Sequence, residues 1–276
     1  IDYSKEFDSI INKFNESSIL EFNKSNYLNE AFINEFLKKL DPQKTVFIQA
    51  DIDEIMNLEI VSDDYLIFKK SVEKFYQRFN ESISYRIKLL RSYNFDLNKD
   101  EYIFLESRES YFINKSEKND YQRKYLKNEI IAQMLEEKSY KESIKELSQS
   151  YADRASSLRK VRESDKFGLL ANIFLSLFDP HSSYFSKRDL ENWNLRMNLS
   201  FEGIGAILGY ENEKARIEEL MPGGPAINSK KINVGDRIVR VGEGKQGKLI
   251  NVVGWRLDDI VERIRGEEGT IIKLEI

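Results

Sequence analysis

Through roughly the first 200 positions, apolar residues recur every three to four places. They form stripes at Phe7, Ile10, Ile11 and Phe14; at Phe32, Phe36, Leu37 and Leu40; at Phe68, Val72, Phe75, Phe79, Ile83 and Ile87; and at Leu126, Ile130, Ile131 and Met134. That spacing puts each set on one face of an α-helix, and ordinary burial of those faces accounts for their aromatics without any ligand. Helix breakers are sparse here: Gly168 is the sole glycine before Gly203, and Pro42 and Pro180 are the only prolines. Asp41 and Pro42 end the second helix, while Ser62, Asp63 and Asp64 supply an N-cap and an acidic first turn for a long third one. The helical signal weakens between Asn94 and Asn119, where connections are expected. No fixed-period repeat is visible, which argues against a solenoid.

From Phe201 the period changes. Ile204, Ala206 and Leu208 alternate with Gly205, Ile207 and Gly209, the pattern of a strand with close backbone approach on one side. Asn212 marks a turn before a second alternating run through Ala215, Ile217 and Leu220. Pro222, Gly223, Gly224 and Pro225 make a tight loop, Val234 to Asp236 a turn, and Arg237 to Val241 a further short strand. Leu257, Ile260, Val261 and Ile264 then stand at i, i+3, i+4 and i+7, so a short helix buries one face and is expected to stop at a C′ glycine, Gly266. Thr270 to Ile276 closes as a strand. The fold class is therefore α+β: a mostly helical N-terminal domain over residues 1–199 and a small β-rich domain with one groove helix over 200–276.

Composition narrows the function classes. With 276 residues and 41% apolar content, the chain has enough material for two cores. Its 43 basic and 47 acidic residues leave a net charge of only −4, which argues against a nucleic-acid partner. No run of about eighteen apolar residues is present, so no membrane-spanning segment is expected, and the polar start is not a signal peptide. A mature exported form stays open. The absence of cysteine excludes disulfides and thiolate chemistry.

Among candidate sites, the glycine-rich turn Gly203, Ile204, Gly205 and Ala206 can offer successive backbone N–H groups to an anion such as a peptide's terminal carboxylate. A plain tight turn is the rival reading. The downstream helix gives the first reading weight, because strand and helix together can form a groove. Ile207 and Leu208 would continue the pairing strand, and Leu257, Ile260, Val261 and Ile264 would line the pocket, some of the four facing the domain's own core instead. His181 is the only histidine; Asp179, His181 and Ser182 lie too close in sequence to converge as a triad, and a turn with Asp179 and Pro180 at its start is expected. With no second histidine and no cysteine, no metal site is expected, and no cofactor. The acidic pairs Asp63–Asp64, Asp258–Asp259 and Glu267–Glu268 are read as helix-start or surface charges.

Four blocks stand in order: Phe201 to Ala206, Met221 to Ala226, Val234 to Ile238 and Gly254 to Val261. Together they resemble the PDZ domain of carboxy-terminal processing proteases. Leu40 to Lys44, Asp51 to Asp53 and Phe178 to Tyr184 resemble the tail-specific branch with its long helical N-terminal domain. The resemblance implies a periplasmic serine endopeptidase with a Ser nucleophile and a Lys base, in which the PDZ domain binds C-terminal tails of protein substrates and couples this to catalysis. It implies no cofactor, and a periplasmic adaptor protein is a further candidate partner. None of this chain's serines or lysines stands in the family's catalytic context, so no catalytic residue is assigned and that segment is expected after Ile276. Two alternatives stay open: a non-enzymatic PDZ-containing scaffold or adaptor, and an interaction protein whose helical part alone is functional.

Overall fold

A computed structural model of the chain describes residues 2–17, 26–57, 64–179, 181–197 and 203–276. Its packing divides into two compact units, Ile1–Ser186 and Lys187–Ile276. The expected boundary between 199 and 200 falls among residues 198–202, outside the described ones.

The first unit is helical: α1 (Tyr3–Ser17), α2 (Asn26–Leu40), α3 (Gln49–Met56), α4 (Asp64–Ser92), α5 (Lys115–Leu135), α6 (Tyr140–Arg159) and α7 (Glu163–Leu175). The long helix expected as the third is therefore α4, and its N-cap at Ser62 and Asp63 lies outside the described residues. The short α3 buries Ile52 and Ile55 in the core and is held by polar contacts as well. Asp41, just past α2, turns its carboxylate on the N–H groups of Thr45 (2.7 Å), Val46 (3.0 Å) and Phe47 (3.1 Å). Asp51 then accepts from the Ile48 N–H and from Arg78 of α4, whose Nε and Nη2 approach it to 2.9 and 2.6 Å. Asp51 is 2% exposed at its side chain, so this is a buried, forked pair in which each charge needs the other.

Rings dominate the larger core of this unit. Phe7, Phe32, Phe36, Phe47, Phe68 and Phe174 are all buried, and Phe32 stacks on Phe68 with centroids 3.8 Å apart. A second core packs Leu126 and Ile130 of α5 and Leu147 and Tyr151 of α6 against Ile83, Leu89 and Leu90 of α4. Ser139 and Glu142 form a reciprocal capping box that starts α6.

The second unit contains α8 (Lys187–Met197), β1 (Ala206–Glu211), β2 (Lys214–Leu220), α9 (Pro225–Ser229), β3 (Arg237–Ile238), β4 (Arg240–Glu243), β5 (Ile250–Asn251), α10 (Leu257–Ile264) and β6 (Ile272–Glu275). Two antiparallel three-stranded sheets run in the orders β1-β2-β3 and β5-β4-β6. The expected strand from Arg237 to Val241 is thus two strands in different sheets, because Val239 leaves the first ladder to donate its N–H to Glu275. Their shared core is aliphatic: Ile204, Ala215, Ile217, Ile238, Val241, Val252, Ile260 and Ile264. The helix α10 ends as expected in place but not in manner. Arg265 caps it in an extended conformation (φ −67°, ψ 151°) rather than Gly266 in a left-handed one. Gly266 serves close approach instead, since a Cβ there would stand 2.6 Å from the Thr270 hydroxyl.

Candidate peptide-binding site

Gly203, Ile204 and Gly205 form the turn that feeds β1, and glycine avoids strain at its two positive-φ positions, +136° at Gly203 and +70° at Gly205. The turn's carbonyls are taken from one side. Ile204 O accepts from the Ala226 N–H at 2.8 Å, and Gly205 O accepts from the Met221 N–H at 2.9 Å. A trans peptide unit points its C=O and the following N–H in opposite directions, so the Gly205 and Ala206 N–H groups face away from the 221–226 segment. The ladder agrees: Ala206 lies opposite Leu220 while Met221 donates to Gly205, which makes Ala206 a non-hydrogen-bonded position whose N–H points away from β2. No backbone group among the described residues accepts from the Gly205 N–H. Two neighbouring donors thus face the same side, away from the 221–226 segment, an arrangement that suits an oxyanion.

Beyond the turn, β1 is an edge strand. Its inner side pairs with β2, and among the described residues nothing pairs with its outer side. A bulge between Ile207 and Leu208, where Glu218 is the extra residue on β2, leaves the alternation of β1 intact. Ala206 and Leu208 therefore pack against the core, and Ile207, 46% exposed, presents its side chain to the opposite face. Ile207, opposite Glu219 at the hydrogen-bonded position next to Ala206, turns its N–H and C=O toward β2, so it offers the outer edge neither side chain nor main-chain groups.

The helix α10 flanks the turn. The Arg265 Cγ at its end lies 3.8 Å from where a Cβ on Gly203 would stand, so the C-terminal end of α10 meets the turn and Leu257 lies farther along β1. The four apolar positions divide. Ile260 is 0% exposed and Ile264 is buried beside it, so Ile260 belongs to the core and cannot line a groove, and Ile264 packs there as well. Leu257 and Val261 are half-buried and one helical turn apart, which leaves them as the apolar surface of α10. The spacing alone could not separate these pairs, because all four fall within one stripe. At the other end of α10, Asp258 and Asp259 each lie 3.5 Å from Arg188 of α8, an ion-pair cluster that sequence reading of the acidic pair as first-turn charge did not foresee.

The remaining candidates resolve as structure. Asp179 accepts from the His181 N–H and the Ser182 hydroxyl, closing a turn rather than a triad; Pro180 lies outside the described residues. Among the described residues no group of acidic and histidine side chains is placed to hold a metal ion. In the first unit, burial lowers the Lys118 ammonium to about 8, the range in which a lysine could act as a base. It donates to the Val46 carbonyl and not to a serine, which makes it a clamp between α5 and the loop before α3. No described helix is long and apolar enough to cross a membrane.

Comparison with known proteins matches residues 10–188 to the family described as the tail specific protease N-terminal domain and residues 193–276 to the PDZ domain. The tail-specific protease of Haemophilus influenzae is 32% identical over 259 residues, covering 90% of this chain and 36% of that protein. The carboxy-terminal processing protease CtpA of Bacillus subtilis is 31% identical over 132 residues, covering 47% of this chain and 27% of that protein. The chain thus spans about a third of the length of these relatives or less. Among solved structures, the PDZ domain of a carboxy-terminal protease from Vibrio cholerae, in complex with peptide, is 46% identical over 26% of this chain and 74% of that one, with a TM-score of 0.26.

Proposed function

The chain belongs to the tail-specific protease family, and we propose on that footing that it is the substrate-recognition portion of a tail-specific serine endopeptidase, with a helical domain at residues 1–199 and a PDZ domain at 200–276. The observation that carries this reading is the pair of outward N–H groups at Gly205 and Ala206, set between an open strand edge and the apolar face of α10. A protein's C-terminal tail would add antiparallel to β1, its carboxylate at Gly203, Ile204, Gly205 and Ala206. Two residues of an extended peptide advance about 6.6 Å and the four-residue helical step between Leu257 and Val261 about 6 Å, so Val261 and Leu257 match the last and the third-from-last side chains. Apolar tails are therefore the favoured ligands. By family, capture of the tail would be coupled in the periplasm to a Ser/Lys catalytic segment outside residues 1–276, with an adaptor protein as a further partner.

Val261→Asp tests the reading, because it charges the apolar face without entering the core. Fluorescence anisotropy with a labelled peptide ending in Val or Leu should show binding by the unaltered chain in the micromolar range, about −8 kcal/mol or weaker. Val261→Asp should abolish it with the circular dichroism spectrum unchanged. Lys230→Ala, at the end of α9, should change little. Equal binding by the unaltered chain and Val261→Asp contradicts the proposal.

A further inference from the structure

The segment Met221 to Ala226 contains none of the groups assigned to the ligand, yet the turn that would hold the carboxylate is built on it. Both carbonyls that orient the turn are held by N–H groups of this segment, Met221 on Gly205 and Ala226 on Ile204. The segment is itself closed by the Gly224 N–H on the Met221 carbonyl at 3.0 Å. Between these bonds the two backbones touch: a Cβ on Gly224 would stand 3.0 Å from Gly205 Cα, 3.1 Å from Met221 O and 3.3 Å from Gly205 O. The conformation of Gly224 is φ −69°, ψ 157°, which any residue adopts. Its glycine is thus required for contact with the turn and not for backbone freedom, in contrast to Gly223 beside it, which has φ +81° and nothing within 4 Å.

We propose that the Met221–Ala226 segment is a rigid seat that presets the carboxylate-binding turn, and that Gly224 is its positioning residue. The proposal rests on the carboxylate-capture reading of the turn. A methyl group at Gly224 pushes Gly205 outward, turns the Gly205 and Ala206 N–H groups off their common direction, and weakens recognition of the charged terminus while leaving the apolar wall of α10 in place. Hydrogen-bond direction matters enough for such a tilt to be felt, since these bonds weaken steeply with misalignment.

The test uses the full chain and one apolar-ended peptide as free acid and as amide. Gly224→Ala should weaken the free acid by about tenfold and bring the acid-to-amide ratio close to one. Gly235→Ala supplies the control for lost stability: its φ of +96° strains a side chain in a remote turn with nothing within 4 Å, so melting should fall while the ratio stays at its unaltered value. A wild-type ratio in Gly224→Ala, with the unaltered chain discriminating, overturns the positioning role alone. A ratio of one in the unaltered chain overturns the capture reading and the inference with it. Amide hydrogen exchange on the unaltered, peptide-free chain gives a second measurement that does not depend on folding of the variant. The Met221 and Ala226 amides should be protected before peptide is added; protection that appears only with peptide would mean that the seat is not preset.

Discussion

The two units solve the same problem with opposite materials. The helical unit fills its larger core largely with rings and pins its loops with buried carboxylates, Asp41 on three backbone N–H groups and Asp51 on Arg78. The PDZ unit has an aliphatic core and uses glycine to bring backbone against backbone, at Gly205 on Gly224. Large side chains keep neighbouring chains apart; their absence lets a turn be seated from one side while its donors face outward on the other. The contrast explains why the candidate site lies in the smaller unit, where the main chain is left available to a partner.

The largest effect should come from charge in the helical unit. Arg78→Met leaves Asp51 buried without its partner, which costs about 3–5 kcal/mol. Calorimetry should show that loss, and peptide affinity at moderate temperature should not change, since no groove residue belongs to that unit. Reduced affinity in Arg78→Met would break the division of labour between the two. Next in size, Ile260→Ala removes a fully buried side chain from the aliphatic core and should cost about 2–5 kcal/mol. Here stability and peptide binding should fall together, which is the opposite signature.

Alkaline pH should give a smaller effect, confined to the helical unit. Folded Lys118 releases its proton near 8 and the unfolded residue near 10.5, so between those values the folded chain binds fewer protons and stability rises with pH. The rise ends near 10, where Tyr111 and Tyr151, pushed up to about 12 by burial, begin to favour unfolding as the unfolded tyrosines ionise. Denaturant melts from pH 7 to 11 should show the rise, and Lys118→Met should lack it. A rise that survives in Lys118→Met would assign it to another group. Smallest of all, Arg188→Ala removes partly exposed ion pairs to Asp258 and Asp259 and should cost less than about 1 kcal/mol. A larger loss would mean that α8 is an integral support of the groove helix.

Much of this was legible in the residues. The apolar stripes at Phe7 to Phe14, Phe32 to Leu40 and Phe68 to Ile87 became α1, α2 and α4, and the change of period at Phe201 became the all-antiparallel unit, because burial enforces the period of each element. The glycine-rich turn was visible because positive-φ positions favour glycine. What stayed hidden depends on partners distant in sequence. The short α3 is seated by Ile52 and Ile55 in the core and also by Asp51 meeting Arg78, 27 positions away, and no local pattern records that meeting. Ile260 and Val261 are adjacent apolar residues, and only the packed sheets send one to the core and leave the other at the surface. Gly266 looked like a helix cap by position, but the extended Arg265 made it a contact residue instead.

The central claim is that the main-chain donors of the 203–206 turn capture a free C-terminal carboxylate. Titration of the full chain with one apolar-ended peptide, as free acid and as amide, tests it most directly. Loss of the terminal charge should weaken binding by about tenfold or more, roughly 1.4 kcal/mol. Equal affinity for the two peptides would contradict the claim, whatever the groove otherwise accepts.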